Sequence, residues 1–229
     1  MASLSIRAEL ESLLRAEGFA QALPPRTILE SPATERLSFG MSRVDDRLGG
    51  GIPVGALTEV TGAPSSGRTS VVAALLAQVT NRHATAAYID AVDAFDPWSA
   101  ARRGVELSRL LWVRCRGRID IAFKAADAAV RGGGARVVVL DLAGASGSRL
   151  WRIPAAAYIR LRRAVEHTPA ALLVLADHPL AGTSASATLR LSRAAAVWSG
   201  RHPTCRVLRD LRSAPPVVAG RNAASRRAG

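Results

Sequence analysis

The chain has 229 residues, 48% of them apolar, enough for one α/β domain with a full core and too few for two ordinary ones. That apolar share argues against a disordered protein, and no apolar run approaches the roughly 18 residues of a membrane-spanning helix. The net charge of +13 is uneven, with residues 142–229 carrying 14 arginines against three acids. Such polarity points to a polyanionic partner, nucleic acid by default. Cys115 and Cys205 make no disulfide framework, and Glu9, Glu11 and Glu17 break any apolar leader, so a cytoplasmic protein is expected.

Leu4, Leu10, Leu13 and Leu14 stand among charges and predict a short amphipathic helix over Ser3–Glu17. Pro24, Pro25 and Pro32 make residues 18–36 an extended connector. Residues 1–36 are thus an amino-terminal helix and connector, 37–212 a core domain, and 213–229 a disordered basic tail. From Leu57 strands and helices alternate. Strands are expected at Leu57–Thr61, Ala86–Asp90, Leu110–Cys115, Arg136–Asp141 and Ala171–Asp177. Helices are expected at Thr69–Arg82, Pro97–Arg103, Ile119–Arg131 and Pro154–His167. The runs RVVVLD and ALLVLAD are continuously apolar, the pattern of parallel strands buried on both faces. Ala194–Trp198 and Cys205–Leu211 read as a final antiparallel pair. The fold class is α/β: a mostly parallel central sheet flanked by helices, with antiparallel edge strands.

Between the first of these strands and its helix lies Gly62-Ala63-Pro64-Ser65-Ser66-Gly67-Arg68-Thr69-Ser70. It fits G-x-x-x-x-G-K-[ST] with arginine in place of lysine. Gly62 and Gly67 permit a turn whose amides, with Ser65, Ser66 and Ser70, converge on phosphate oxygens. Thr69 is placed to reach Mg²⁺, as is Asp141 at the end of its strand. Arg68 keeps a positive charge, but its planar fork cannot occupy the niche of an ammonium. A plain strand-to-helix turn would need the same glycines. His83, His167, His178 and His202 show no metal spacing. Trp112 and Trp198 fall on strands and suit the core.

Taken in order, FGMSRVDDRLGGGIP (39–53), the phosphate loop, YIDAVDAFDP (88–97), Gly104–Cys115 and RVLRDLRSAPP (206–216) resemble the bacterial RecA recombinase core. The resemblance implies a P-loop NTPase fold of the RecA type that binds ATP, Mg²⁺ and single-stranded DNA. It also places Asp96 near adenine, and makes the loops around Arg149, Trp151 and Arg152 and around Arg190 and Arg193 DNA-facing. Trp151 between guanidiniums could stack on a base, or anchor its loop on the core. By the same resemblance, Ser3–Glu17 and its connector dock on a neighbouring subunit or receive another partner.

Several residues depart from the recombinase pattern. Val92 stands where a glutamate would activate water, Ser99 where a tyrosine would stack on adenine (with Trp98 one residue away), and Asp177 where a glutamine would sense the γ-phosphate. The loop His178–Ala187 is short. A compact core with these losses resembles the ImuA family, RecA-related accessory proteins of damage-induced (SOS) mutagenesis. That implies translesion synthesis alongside an ImuB-like protein and an error-prone polymerase, with ATP binding weak or lost and no catalytic residue. Two alternatives stay open: a DNA-dependent RecA-like ATPase, and a scaffold that binds neither nucleotide nor DNA.

Overall fold

The computed structural model describes residues 35–150, 152–199, 207–212 and 215–220. The expected helix Ser3–Glu17, nearly all of its connector, Trp151, residues 200–206 between the expected final strand pair, and residues 213–214 and 221–229 of the tail lie outside the described residues. Among the described residues no helix is long and apolar enough to cross a membrane.

The described chain opens with β1 (Arg36–Leu37) and β2 (Ile52–Pro53), paired antiparallel around α1 (Ser42–Leu48). Asp45 organises this entry by accepting from Ser38 Oγ at 2.8 Å, Phe39 N–H at 2.8 Å and Met41 N–H at 3.0 Å. Gly51 is required here, because a Cβ would sit 2.2 Å from the Leu37 carbonyl oxygen.

Then follow β3 (Leu57–Gly62), α2 (Arg68–Thr80), β4 (Ala86–Asp90), α3 (Pro97–Arg102), β5 (Leu110–Arg114), α4 (Ile119–Arg131) and β6 (Val137–Asp141). The chain continues with α5 (Gly147–Leu150), α6 (Ala155–Val165), β7 (Ala171–Ala176), β8 (Ala187–Leu191), β9 (Ala195–Ser199), β10 (Val207–Arg212) and β11 (Val217–Gly220). A seven-stranded sheet runs β11-β8-β3-β7-β6-β4-β5. All its pairings are parallel except β11 with β8. Strands β9 and β10 pair antiparallel apart from it, as the sequence suggests.

Successive side chains on a strand point to opposite faces, so β6 and β7 feed two cores at once. Val138, Leu140, Leu172 and Val174 meet Phe123, Ala126, Tyr158 and Leu161 of α4 and α6. Val137, Val139, Leu173 and Leu175 meet Val72, Leu75, Leu76 and Val79 of α2. Each fully buried Leu or Val contributes about 1.5–3 kcal/mol, which is why these strands tolerate no polar residue before their ends.

Two elements differ from the sequence reading. Strand β8 follows the expected short loop, but its A-T-L-R-L pattern alternates and lacks the continuous apolar run that marks the other strands. The tail expected to be disordered from residue 213 contains β11. Its residues Val217–Gly220 pair with Arg190–Ala187 and satisfy the backbone of β8 along its open side.

Because the six strands from β3 to β8 are parallel, their following loops gather on one edge, where ligands of open α/β sheets bind. Glu59, buried on β3, fixes one of those loops. Its Oε1 accepts from Leu180 N–H at 2.6 Å and Ala181 N–H at 3.0 Å, and its Oε2 from Thr188 Oγ1 at 3.3 Å. Glu59→Ala orphans the buried Ala181 amide and the half-buried Leu180 amide and should lower unfolding free energy by about 2–5 kcal/mol in urea titration. Glu59→Gln keeps one acceptor and should lose less.

Candidate functional site

The phosphate loop is built as its glycines require. A Cβ on Gly62 would lie 2.5 Å from both the Leu191 carbonyl oxygen and Ser66 Oγ. Ser65 (φ 66°) and Gly67 (φ 91°) both adopt left-handed backbone, curling the chain into α2. The N–H groups of Gly67, Arg68, Thr69 and Ser70 have no acceptor among the described residues. Ser66 Oγ is buried and has no hydrogen-bond partner among them either. Such a donor array at the start of a 13-residue helix suits a phosphate anion.

The side chains tell a different story. Arg68 is buried, and its Nη1 donates to the Ala176 carbonyl at 2.8 Å and to Asp177 Oδ1. Asp177 Oδ2 accepts from the Gly144 N–H at 3.0 Å. Two departures from the recombinase pattern, the loop arginine and the acid after β7, are therefore one ion pair. A carboxylate of the chain itself engages the cation that would otherwise meet a phosphate.

Asp141 is likewise engaged. Its Oδ1 accepts from Ala143 N–H at 2.9 Å and its Oδ2 from the Tyr88 hydroxyl. Burial pushes this carboxyl up to about 6, with the bonds from Tyr88 and Ala143 opposing that rise. Burial, followed by the charge of Asp141, raises the Tyr88 hydroxyl well above its ordinary range. Thr69 stays exposed with its hydroxyl free among the described residues, but Asp141 has no oxygen left without a donor. The loop backbone fits a phosphate group, and Asp141, with one donor on each oxygen, keeps lone pairs that would accept from a metal-bound water.

The turn after β4 is organised by Asp90, which accepts from the N–H groups of Val92 (3.3 Å), Ala94 (3.1 Å) and Phe95 (3.0 Å) and from Trp112 Nε1 (3.3 Å). Val92 packs against the hydrophobic core and presents no base. Asp93 is held by Arg114 through bonds of 3.2 and 3.1 Å. Asp96 caps α3, accepting from Trp98 N–H at 3.0 Å and from Ser99 Oγ. The Ser99 hydroxyl bond holds the Asp96 carboxyl below its usual range. Trp98 is 80% exposed.

A family model of the RecA N-terminal domain matches residues 28–149. The chain belongs to this RecA family. Among its relatives, Protein RecA of Synechococcus sp. (strain CC9902) is 37% identical over 107 residues, 47% of this chain and 28% of that protein. Protein RecA of Synechococcus sp. (strain WH7803) is 38% identical over the same shares, and that of Parasynechococcus marenigrum (strain WH8102) 37%. The matched region spans 28% of the length of these curated relatives.

On this RecA-type sheet the arginines read as DNA-facing fall into two groups. Arg149 Nη1 donates to the Gly117 carbonyl at 3.1 Å, and Arg152 is exposed in the same loop. Arg190 is exposed on β8, while Arg193 Nε donates to the Pro64 carbonyl of the phosphate loop at 2.8 Å. Strands β3 and β7 separate β8 from β6, a span of about 14 Å, so the groups share an edge but not a cluster. No group of three or more His, Cys, Asp or Glu among the described residues is arranged to hold a metal.

Sequence reading missed Tyr88 and the Arg68–Asp177 contact. The signal for the second was present, since a substituted cation and a new acid in one site suggest a pair. Asp141 keeps its proton to higher pH in the folded state than its ordinary 3.8. The unfolded chain therefore loses that proton first, and this group lowers stability as pH rises from about 4 through about 6. Tyr88→Phe should cost about 1–3 kcal/mol, and more at about pH 8 than at about pH 5, because the lost bond then serves an ionised carboxylate. Urea denaturation at the two pH values measures both.

Proposed function

We propose that this chain is a RecA-fold accessory protein of damage-induced translesion synthesis, ImuA-like, with a degenerate nucleotide site. In this reading it binds single-stranded DNA and mutagenesis partners: an ImuB-like protein, an error-prone polymerase, or a second copy of itself. The observation that carries it is the Arg68–Asp177 pair, which neutralises the phosphate-loop cation from within. A nucleotide would have to break that pair, and the acid it releases would repel the γ-phosphate. Val92 in the core supports the same reading, because hydrolysis without general-base help is typically slower by about 10²–10⁴-fold. Bound Mg²⁺-ATP would supply a polarised phosphoryl group; the residues to hold it are Gly62, Ser65, Ser66, Gly67, Thr69 and Ser70, with Asp96 beside the base.

A DNA-dependent ATPase is the second reading, favoured by the free amides of Gly67–Ser70 and the orphaned Ser66 hydroxyl. Titration with a fluorescent ATP analogue separates the two. The wild-type chain should bind weakly, and Arg68→Lys with Asp177→Gln should bind at least about tenfold tighter, a gain of about 1.4 kcal/mol. Phosphate release should remain at background with or without DNA, and recover in part only when Val92→Glu is added. Brisk DNA-stimulated release by the unmodified chain would establish the ATPase instead.

For DNA, Arg149, Arg152, Arg190 and Arg193 supply sequence-independent phosphate contacts. Four contacts imply a log–log salt slope of about −3 or steeper on single strands. Binding that ignores salt between low and physiological ionic strength would refute a phosphate-driven mode.

A further inference from the structure

The turn Cys115–Arg118 joins β5 to α4 on the same edge as the phosphate loop. Arg116 has φ 51° and Gly117 φ 79°, and the Arg118 N–H closes onto the Cys115 carbonyl at 3.0 Å. Two left-handed central residues inside such a bond are the type I′ pattern, where Asn, Asp and Gly are favoured and arginine is not. The turn is also rigidly seated. Cys115 N–H donates to the Asp90 carbonyl at 2.8 Å and Gly117 N–H to the Ala91 carbonyl at 2.7 Å. Arg149, 32 residues away in the chain, reaches the Gly117 carbonyl at 3.1 Å and so brings its loop to this turn.

Arg116, Arg118, Arg149 and Arg152 are all exposed, and none forms an ion pair among the described residues. Of the nearby acids among the described residues, Asp93 is held by Arg114, Asp90 is buried and takes donors from its own turn and from Trp112, and Asp120 is exposed with no ion pair. Cys115 and Ile119, which flank the exposed arginines, are buried, so the turn offers charge and no apolar anchor.

We infer that this turn is a contact surface for the phosphates of single-stranded nucleic acid, with Arg116 at its centre. The inference deepens the DNA-binding reading above and rests on it. A non-glycine residue held in left-handed backbone, where smaller residues would do better, points to a role in function. The backbone of the turn is fixed, and guanidinium forks projecting from it match phosphate oxygens two at a time. A surface of charge without apolar anchors suits a polyphosphate backbone better than an acidic peptide, which needs buried apolar contacts to bind specifically.

The test exploits the local backbone. Arg116→Asn suits the type I′ position, and Arg118→Ser suits the helix N-cap that Arg118 occupies without a capping bond. The double variant should therefore melt at the same temperature as the wild type or higher. Binding of a fluorescein-labelled oligothymidine, followed by anisotropy across salt concentrations, should show a log–log slope shallower by about 1.4, or about 0.7 per arginine. Polyglutamate should compete poorly. A wild type that binds while the double variant keeps its slope and affinity overturns this inference and leaves the DNA-binding reading standing. Polyglutamate binding that is lost in the double variant overturns it in favour of an acidic protein partner. A wild type that binds no oligothymidine overturns both.

Discussion

A guanidinium buried beside a ring of amide donors cannot stand alone. Arg68 is 8% exposed, and an unpaired charge at that depth would cost several kcal/mol. Asp177 removes the problem, and its second oxygen takes the Gly144 amide, so one carboxylate ties together the start of α2, the loop after β6 and the end of β7. These three segments meet beside the phosphate loop. The chain holds them in place with its own anion, and the shape of the edge does not wait for a ligand. Arg68 without Asp177 would be a buried cation with no carboxylate beside it.

The same logic governs the other strand ends. Three acids sit where strands stop: Asp90 ends β4, Asp141 ends β6 and Asp177 follows β7. A buried carboxylate persists only with donors on its oxygens. Asp90 has three amides and an indole, Asp141 a phenol and an amide, Asp177 a guanidinium and an amide. In each case the donors come from the chain. Acids that resemble a metal and nucleotide set by position are, by their contacts, the joints of the carboxyl edge.

How far the sequence disclosed this depends on distance along the chain. The phosphate loop and the continuous apolar strands were legible because each lies within about ten consecutive residues and has a period of its own. Strand β8 was not, since Thr188 and Arg190 alternate with apolar residues, nor was β11, only four residues long in an Ala- and Gly-rich context. The Tyr88–Asp141 bond depends on β4 lying beside β6, with Tyr88 opposite Val139 and Asp90 opposite Asp141. No local pattern announces that adjacency. Arg68 and Asp177 lie 109 residues apart, and the turn Cys115–Arg118 shows its meaning only through backbone angles.

The cations of this edge therefore divide by what faces them. Arg68 points inward, is desolvated, and is spoken for by Asp177. Arg193 leans on the phosphate loop from outside through the Pro64 carbonyl, and Arg149 on the neighbouring turn through that of Gly117. Both use a carbonyl, which orients a guanidinium without cancelling its charge, whereas the carboxylate on Arg68 cancels it. Neutral anchoring leaves the positive field of the outer arginines directed at solvent, where it acts on a polyanion over about one Debye length. The inner charge is closed by the chain, and the outer charge is left open to solvent.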